Sequence, residues 1–338
     1  MRSDEPLISV IVPVNNGQDY LDNCIRSIES QTYGNLEVII VNNGSTDETA
    51  AVCEGLQSKY GNVHVLTMDD EGVSAARNRG IEAAQGDFIT FVDADDRICV
   101  DMLEILYRCI LDTGSDVAGC SFFIWSNEEE WKQRAVRAKA SDERTAGQTY
   151  VYDADSYLKE AVLCGNSRCW SKLYRREILD RARFPEELTI GEDMLFLVRM
   201  LPYANKFVET DYAGYGYYRN PSGSMNREFT PRYMDQITCW QLAREEILRM
   251  DDNLDAQVTA LAMMGIMLTV GKLTMLPAAQ RRGYTEYVET CHEKLKETMR
   301  ISGAVGRLSA GYRMKVRLFL LCPSLYLNLY HLLKVCFE

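Results

Sequence analysis

Histidine is scarce in this chain and its cysteines are unpaired in sequence. His64, His292 and His331 are far apart, and none of the eleven cysteines forms a CxxC pair. That excludes a zinc site and a disulfide framework from expectation, and free thiols at this density predict a reducing, cytoplasmic setting. Positive charge is short too. With 37 Lys+Arg against 49 Asp+Glu the net charge is −12, so binding of nucleic acid by phosphate neutralisation is not expected. No internal repeat is present, and no hydrophobic signal region follows the polar residues 1–6, which predicts a protein that is not exported. The apolar run at 318–333 is interrupted by Pro323, Ser324, Asn328 and His331. It falls short of the roughly 20 apolar residues that span a bilayer.

What is present is ordinary globular composition, 46% hydrophobic and 25% charged over 338 residues. That suits one large domain with an accessory region, or two domains. Through the first 120 residues short apolar runs alternate with amphipathic ones. Strands are predicted at 7–12, 36–41, 63–66, 88–92 and 116–124, with Leu21, Cys24, Ile25 and Ile28 at helical spacing after the first. Ser45 and Glu48 fit a capping box for the second helix. Continuous apolar strands joined by single helices imply an α/β fold, a mostly parallel sheet covered by helices on both faces. Ligands on such sheets sit at the carboxyl ends of the strands. There the residues are 13–16, 42–47, 68–72 and 93–96, polar and acidic beyond what turns need.

Farther on, 126–149 is charged and aperiodic and reads as an insertion or irregular hairpin. Segments 153–163, 171–179 and 192–200 read as helical, and 207–218 as an aromatic-rich strand or hairpin. Thr230 and Pro231 open a long helix, and helices continue to the end. The predicted organisation is an α/β domain at 1–225, in two halves at about 6–120 and about 121–225, then a helical region at 226–338.

The run FVDADD at 91–96 places three carboxylates at the open end of a strand that should be central. Their repulsion calls for a cation or a donor to offset it. Magnesium or manganese, held by one or two carboxylates and completed by substrate phosphates, suits such a site. The alternative is that Asp95 and Asp96 cap the next helix. FVDADD resembles the DXD motif of nucleotide-sugar glycosyltransferases. Together with ISVIVPVN at 8–15, VIIVNNGSTD at 38–47, EGVSAARNRG at 71–80, WSKLYR at 170–175 and GED at 191–193, it makes residues 6–225 similar to glycosyltransferase family 2, inverting enzymes of the GT-A fold.

The resemblance implies a sugar donor, most often a uridine diphosphate (UDP) sugar, lying across the strand ends, with 6–120 as the donor-binding half and 121–225 as the acceptor-side half. Pro13, Val14 and Asn15 would line the uracil and ribose pocket. Asn43 stands where the family has an Asp that receives the uracil N3 hydrogen; an amide oxygen accepts that bond without charge assistance. Arg77 would reach the nucleotide. In the DXD run, with Ala94 between the two acids, Asp93 would hold the ribose or a metal-bound water and Asp95 the Mn2+ or Mg2+ ion. Arg219, with Ser222 or Ser224, would lie near the diphosphate. Asp193 would be the catalytic base and Glu192 a positioning group, although acids in a first helical turn also suit the helix dipole. The implied acceptor is a glycan or lipid-linked hydroxyl, as in surface polysaccharide synthesis.

Two other functions fit part of this pattern. A nucleotidyltransferase also pairs an α/β sheet with metal-binding aspartates, but residues 13–17 offer no basic phosphate loop, the first cation being Arg26. A non-catalytic scaffold would be expected to lose the carboxylates that this chain keeps. The C-terminal region adds a second theme. Arg307, Arg313, Lys315, Arg317 and Lys334 face one acid, Glu338, so the tail either packs on the catalytic domain or makes peripheral contact with the inner face of the cytoplasmic membrane.

Overall fold

The computed structural model describes residues 5–139, 147–221, 223 and 228–337. The chain divides into two compact units. Met1–Glu187 with Arg199–Pro221 form the first, and Leu188–Val198 with Ser222–Glu338 form the second.

Among the described residues the first unit carries one nine-stranded sheet. Its strands are β1 Ile8–Val14, β2 Leu36–Asn43, β3 Val63–Met68, β4 Phe88–Phe91, β5 Arg97–Ile98, β6 Val117–Trp125, β7 Thr149–Asp153, β8 Lys172–Arg175 and β9 Lys206–Tyr218. They lie in the order β3-β2-β1-β4-β8-β6-β9-β5, with β7 on β9. The first four are parallel, as the βαβ rhythm predicts. β1 and β4 are buried along their whole length, whereas edge strand β3 buries only Val63 and exposes His64 and Thr67. That contrast follows from position, since only interior strands are covered on both faces.

Helices α1 Leu21–Glu29, α2 Thr49–Lys59 and α3 Val73–Ala83 connect these strands, and α4 Met102–Thr113 follows β5. α1 turns inward the Leu21, Cys24, Ile25 and Ile28 stripe read from sequence. α3 sits close on β1 because Gly80 has no side chain. A Cβ there would stand 2.4 Å from Ile11 Cγ2.

Several local expectations change. Residues 171–179 are not one helix: 172–175 form β8, antiparallel between β4 and β6, and only Arg176–Leu179 is helical. The charges of Lys172, Arg175 and Arg176 mimic an amphipathic helix, but the first of them is buried inside the sheet. Within 126–149 lies a helix, α5 Glu128–Lys139, and β7 begins at Thr149; 140–146 lie outside the described residues. Segment 153–163 is helical from Ala154, in a broken run of α, π and 3-10 turns. The Ser45–Glu48 capping box does not form. Ser45 Oγ accepts from the Asn16 N–H instead, and Asp47 Oδ1 receives the Thr49 N–H at 3.0 Å.

The second unit is helical. It comprises α6 Glu192–Met200, whose last two residues belong to the first unit, then α7 Asp235–Met250, α8 Asp255–Met275, α9 Thr285–Thr298, α10 Ala310–Leu321 and α11 Pro323–Phe337. Thr230 and Pro231 open a 3-10 turn, and α7 starts after it. α8 is the axis of the core: its Met263, Ile266, Val270 and Leu273 pack with Cys291, Leu295 and Phe319. Residues Asp252–Met275 are also long and apolar enough to cross a membrane, but two thirds of their most apolar 18 residues are buried inside the protein. It is a core helix by that measure.

Candidate active site

The loops leaving β1, β2 and β3 are sewn together by side chains of the short polar residues between strand and helix. Asn16, at φ 54°, places its Oδ1 to accept from the Thr46 N–H (2.8 Å), and its own N–H reaches Ser45 Oγ. Asn15 Nδ2 donates to the Asn43 carbonyl (2.6 Å). Gly44, at φ 65°, lets the second loop touch the third, since a Cβ there would meet Asp70 backbone at 2.5 Å. Left-handed backbone of this kind favours glycine and asparagine.

Asn43 is therefore a structural post as well as a candidate ligand. Its Oδ1 accepts from the Glu71 N–H (3.0 Å) and its Nδ2 donates to Asp70 Oδ1 (3.3 Å). A carbonyl oxygen has two lone pairs, so one is left over, on a side chain that is only 4% exposed. Of the three residues expected to line the base and ribose pocket, Asn15 is exposed. Pro13 and Val14 are buried in β1, and Val14 belongs to the hydrophobic core, because β1 is covered on both faces.

The DXD residues follow β4, next to β1 in the middle of the sheet. Asp93 is offset by protein: Arg77, buried on α3, places Nη2 3.0 Å from Asp93 Oδ1 and its guanidinium over the Phe184 ring. Ala94 packs on the core. Asp95 is partly exposed, and among the described residues it accepts one hydrogen bond, from Asn220 Nδ2 to Oδ2 (3.0 Å). Asp96 neither caps a helix nor faces solvent. It is 1% exposed; its Oδ2 accepts from the Tyr215 hydroxyl (2.7 Å) and its Oδ1 from the Tyr218 N–H (2.7 Å). The same Tyr215 oxygen accepts from the Asp93 N–H (3.1 Å).

Burial, then the nearby carboxylates of Asp95 and Asp93, push Asp96 well above the usual carboxylate range, against those two hydrogen bonds. Repulsion within the triplet is thus relieved mainly by the protein. Arg77 answers Asp93, Asp96 is driven toward its neutral form, and Asp95 remains as the partly open carboxylate. Hard oxygen donors in this number fit Mg2+ or Mn2+ completed by substrate phosphates. Among the described residues no group of three or more His, Cys, Asp or Glu side chains could hold a metal alone.

Sequence reading missed the partners on β9 and just after it. Tyr215, Tyr218 and Asn220 reach the triplet only because β5, directly after it, pairs antiparallel with β9, Arg97 opposite Gly216. Nothing local signals a contact over more than 110 residues. The tyrosines of β9 are largely packing: Tyr215 stacks on Trp170 with centroids 4.5 Å apart, and Tyr218 lies 4.5 Å from Trp125. Arg219 is exposed and its N–H donates to the Trp125 carbonyl. Ser222 and Ser224 lie outside the described residues.

Glu192 and Asp193 belong to the second unit, unlike every donor-side candidate above. Both are partly exposed in the first turn of α6. Their segment is held there by Asp235 Oδ2, which accepts from Thr189 N (2.8 Å) and Oγ1 (2.6 Å). Gly191, at φ 90°, comes so close to Cys239 that a Cβ would meet its Sγ at 2.7 Å. The Cys239 thiol donates to the Gly191 carbonyl (3.0 Å).

Comparison with known proteins places this arrangement. The family model described as glycosyl transferase family 2 matches residues 9–183. The glycosyltransferase GlyA of Streptococcus pneumoniae serotype 4 is 28% identical over 258 residues, 76% of this chain and 35% of that protein. The chain spans 35%, 65% and 56% of the lengths of three curated relatives it matches. Among solved structures, S. aureus TarS 1-349 in complex with UDP-GlcNAc is similar with a TM-score of 0.69 at 20% identity, covering 96% of this chain and 89% of that one. The mannosyltransferase PcManGT from Pyrobaculum calidifontis, in complex with GDP-Man and Mn2+, gives 0.53 at 15% identity, covering 95% and 88%. The shared fold is the GT-A arrangement.

Proposed function

The chain belongs to glycosyltransferase family 2, and from that premise we propose that it transfers a sugar, with inversion, from a UDP-sugar to a hydroxyl of a glycan or lipid-linked acceptor. The observation that carries the reading is Asp95, a partly open carboxylate at the end of a central strand, beside an Asp93 already answered by Arg77. The UDP-GlcNAc held by TarS supports uridine as the base. Asn15 and the second lone pair of Asn43 are the groups this chain offers the nucleoside, and Arg219 is the exposed cation nearest in sequence to Asn220.

Asp95, with Asp93, would hold Mg2+ or Mn2+, which when bound would offset the negative charge growing on the leaving diphosphate. Asp193 takes the proton of the acceptor hydroxyl as that oxygen forms its bond to the anomeric carbon and the bond to the diphosphate oxygen breaks. Electrons leave with the nucleoside diphosphate, and the proton stays on the Asp193 carboxylate. Glu192 positions the acceptor beside it.

The test is nucleoside diphosphate release from a panel of UDP-, GDP- and dTDP-sugars with Mn2+ or with chelator. We expect release from a UDP-sugar, and loss of it in chelator. Release from no nucleotide sugar, or pyrophosphate from a nucleoside triphosphate plus a sugar phosphate, would replace this reading with a scaffold or a nucleotidyltransferase respectively.

A further inference from the structure

We propose that the outward face of α10 and α11 docks on an anionic lipid surface. Soluble helices turn polar residues outward, and here a set of leucines faces outward beside the polar Ser324 and Asn328. On α11 the residues turned inward include Tyr326 and Leu327, while Leu325, Leu329, Leu332 and Leu333 are 53%, 41%, 61% and 44% exposed. Their spacing of four, three and one puts them on one face. Leu321, at the end of α10, is 83% exposed as well.

Cations stand beside Leu321 on α10. Arg313 and Arg317 are exposed one turn apart, and with Met314, Leu318, Leu321 and Ala310 they line a groove of about 510 Å³. Arg307 is exposed as well. Residues 298–337 carry six Lys+Arg and no Asp or Glu in a chain of net charge −12. Guanidinium groups beside an aliphatic floor match a phosphate headgroup above its acyl chains.

This charge pattern argues against a second copy as the occupant. A two-fold contact sets the same patch against itself, and with no acid in the segment Arg313 and Arg317 would meet cations. An anionic bilayer supplies the missing counter-charge together with apolar depth. The apolar face is a ridge at the surface, not a span, since α11 has fifteen residues and a crossing helix needs about 20.

The experiment is co-sedimentation of the full chain with vesicles of phosphatidylcholine alone or mixed with phosphatidylglycerol, at low and high salt. The chain should partition onto the mixed vesicles, release with salt, and ignore the neutral ones. Arg313→Gln with Arg317→Gln should weaken partitioning by about 30-fold, whereas the Lys pair at the same positions should keep it. Leu325→Ser with Leu329→Ser should weaken it by about tenfold or more, with helical content unchanged by circular dichroism. No partitioning by the intact chain, or equal binding to neutral vesicles, would overturn the proposal. A dimer that the leucine substitutions dissociate, seen without vesicle binding, would assign the ridge to a second copy.

Discussion

Asp193→Asn should lower the rate of sugar transfer by about 10²-fold or more, the scale of losing a general base, with nucleotide affinity little changed. An amide of the same shape keeps the first turn of α6 but cannot take a proton. Two features keep the expected damage chemical. The segment is held by Thr189 on Asp235 and by the close approach of Gly191 to Cys239, neither of which involves the Asp193 side chain. The readout is kcat against the dissociation constant of UDP, with product configuration by NMR. Equal losses in rate and nucleotide binding would make Asp193 a donor ligand, and retained configuration would rule out single displacement.

The second large effect is on stability. Lys172, Gly119 and Glu209 stand side by side on β8, β6 and β9. Because Gly119 has no side chain, Lys172 and Glu209 meet over the middle strand, Nζ to Oε1 at 3.4 Å; a Cβ on Gly119 would lie 2.4 Å from the carboxylate. Lys172 also donates to Asn166 Oδ1 (2.7 Å), and the Tyr157 hydroxyl donates to Glu209 Oε1 (2.6 Å). Lys172→Met takes from the Glu209 carboxylate, 14% exposed, its ion-pair partner and leaves only the nearby Arg168 guanidinium to offset its charge. The expected cost is about 3–5 kcal/mol, or roughly 10 °C in Tm.

Adding Glu209→Gln should recover most of that loss, because a buried ion pair owes little net stability to its charges. The pH dependence has a definite sign. Burial, helped by the neighbouring Arg168 charge, lowers Lys172 below the ordinary lysine value, only partly opposed by Glu209. Between the lowered value and that of an unfolded lysine the unfolded chain binds more protons, so this group makes stability rise with pH across that alkaline window. Lys172→Met should remove the slope. Thermal melts of the single and double variants over a pH series check both points; additive losses in the double variant would refute the pairing.

The course of the chain through β4 was legible because each strand there is a continuous apolar run with its polar residues gathered at one end. Hence 13–16, 42–47, 68–72 and 93–96 marked the strand ends correctly. Helix α1 was legible for the complementary reason, a clean stripe at helical spacing. β8 was not. Four residues of strand leave no period to read, and Lys172 looks like a surface charge until Gly119 and Glu209 are placed beside it. The triplet was legible as acids but not as a division of labour, since Arg77, Tyr215, Tyr218 and Asn220 come from distant segments. Only tertiary pairing shows that Asp96 is an internal anchor and that Asp95 is the partly exposed acid.

That division of labour leads to one decisive titration. UDP is titrated calorimetrically into the full chain and into Asp95→Ala, each with Mn2+ and with chelator. The unaltered protein should bind UDP in Mn2+ and weaken by at least about tenfold in chelator, while Asp95→Ala should bind weakly in both and keep its fold. Affinity of the unaltered protein indifferent to chelator, or undiminished Mn2+-dependent binding by Asp95→Ala, would contradict a donor site centred on that carboxylate.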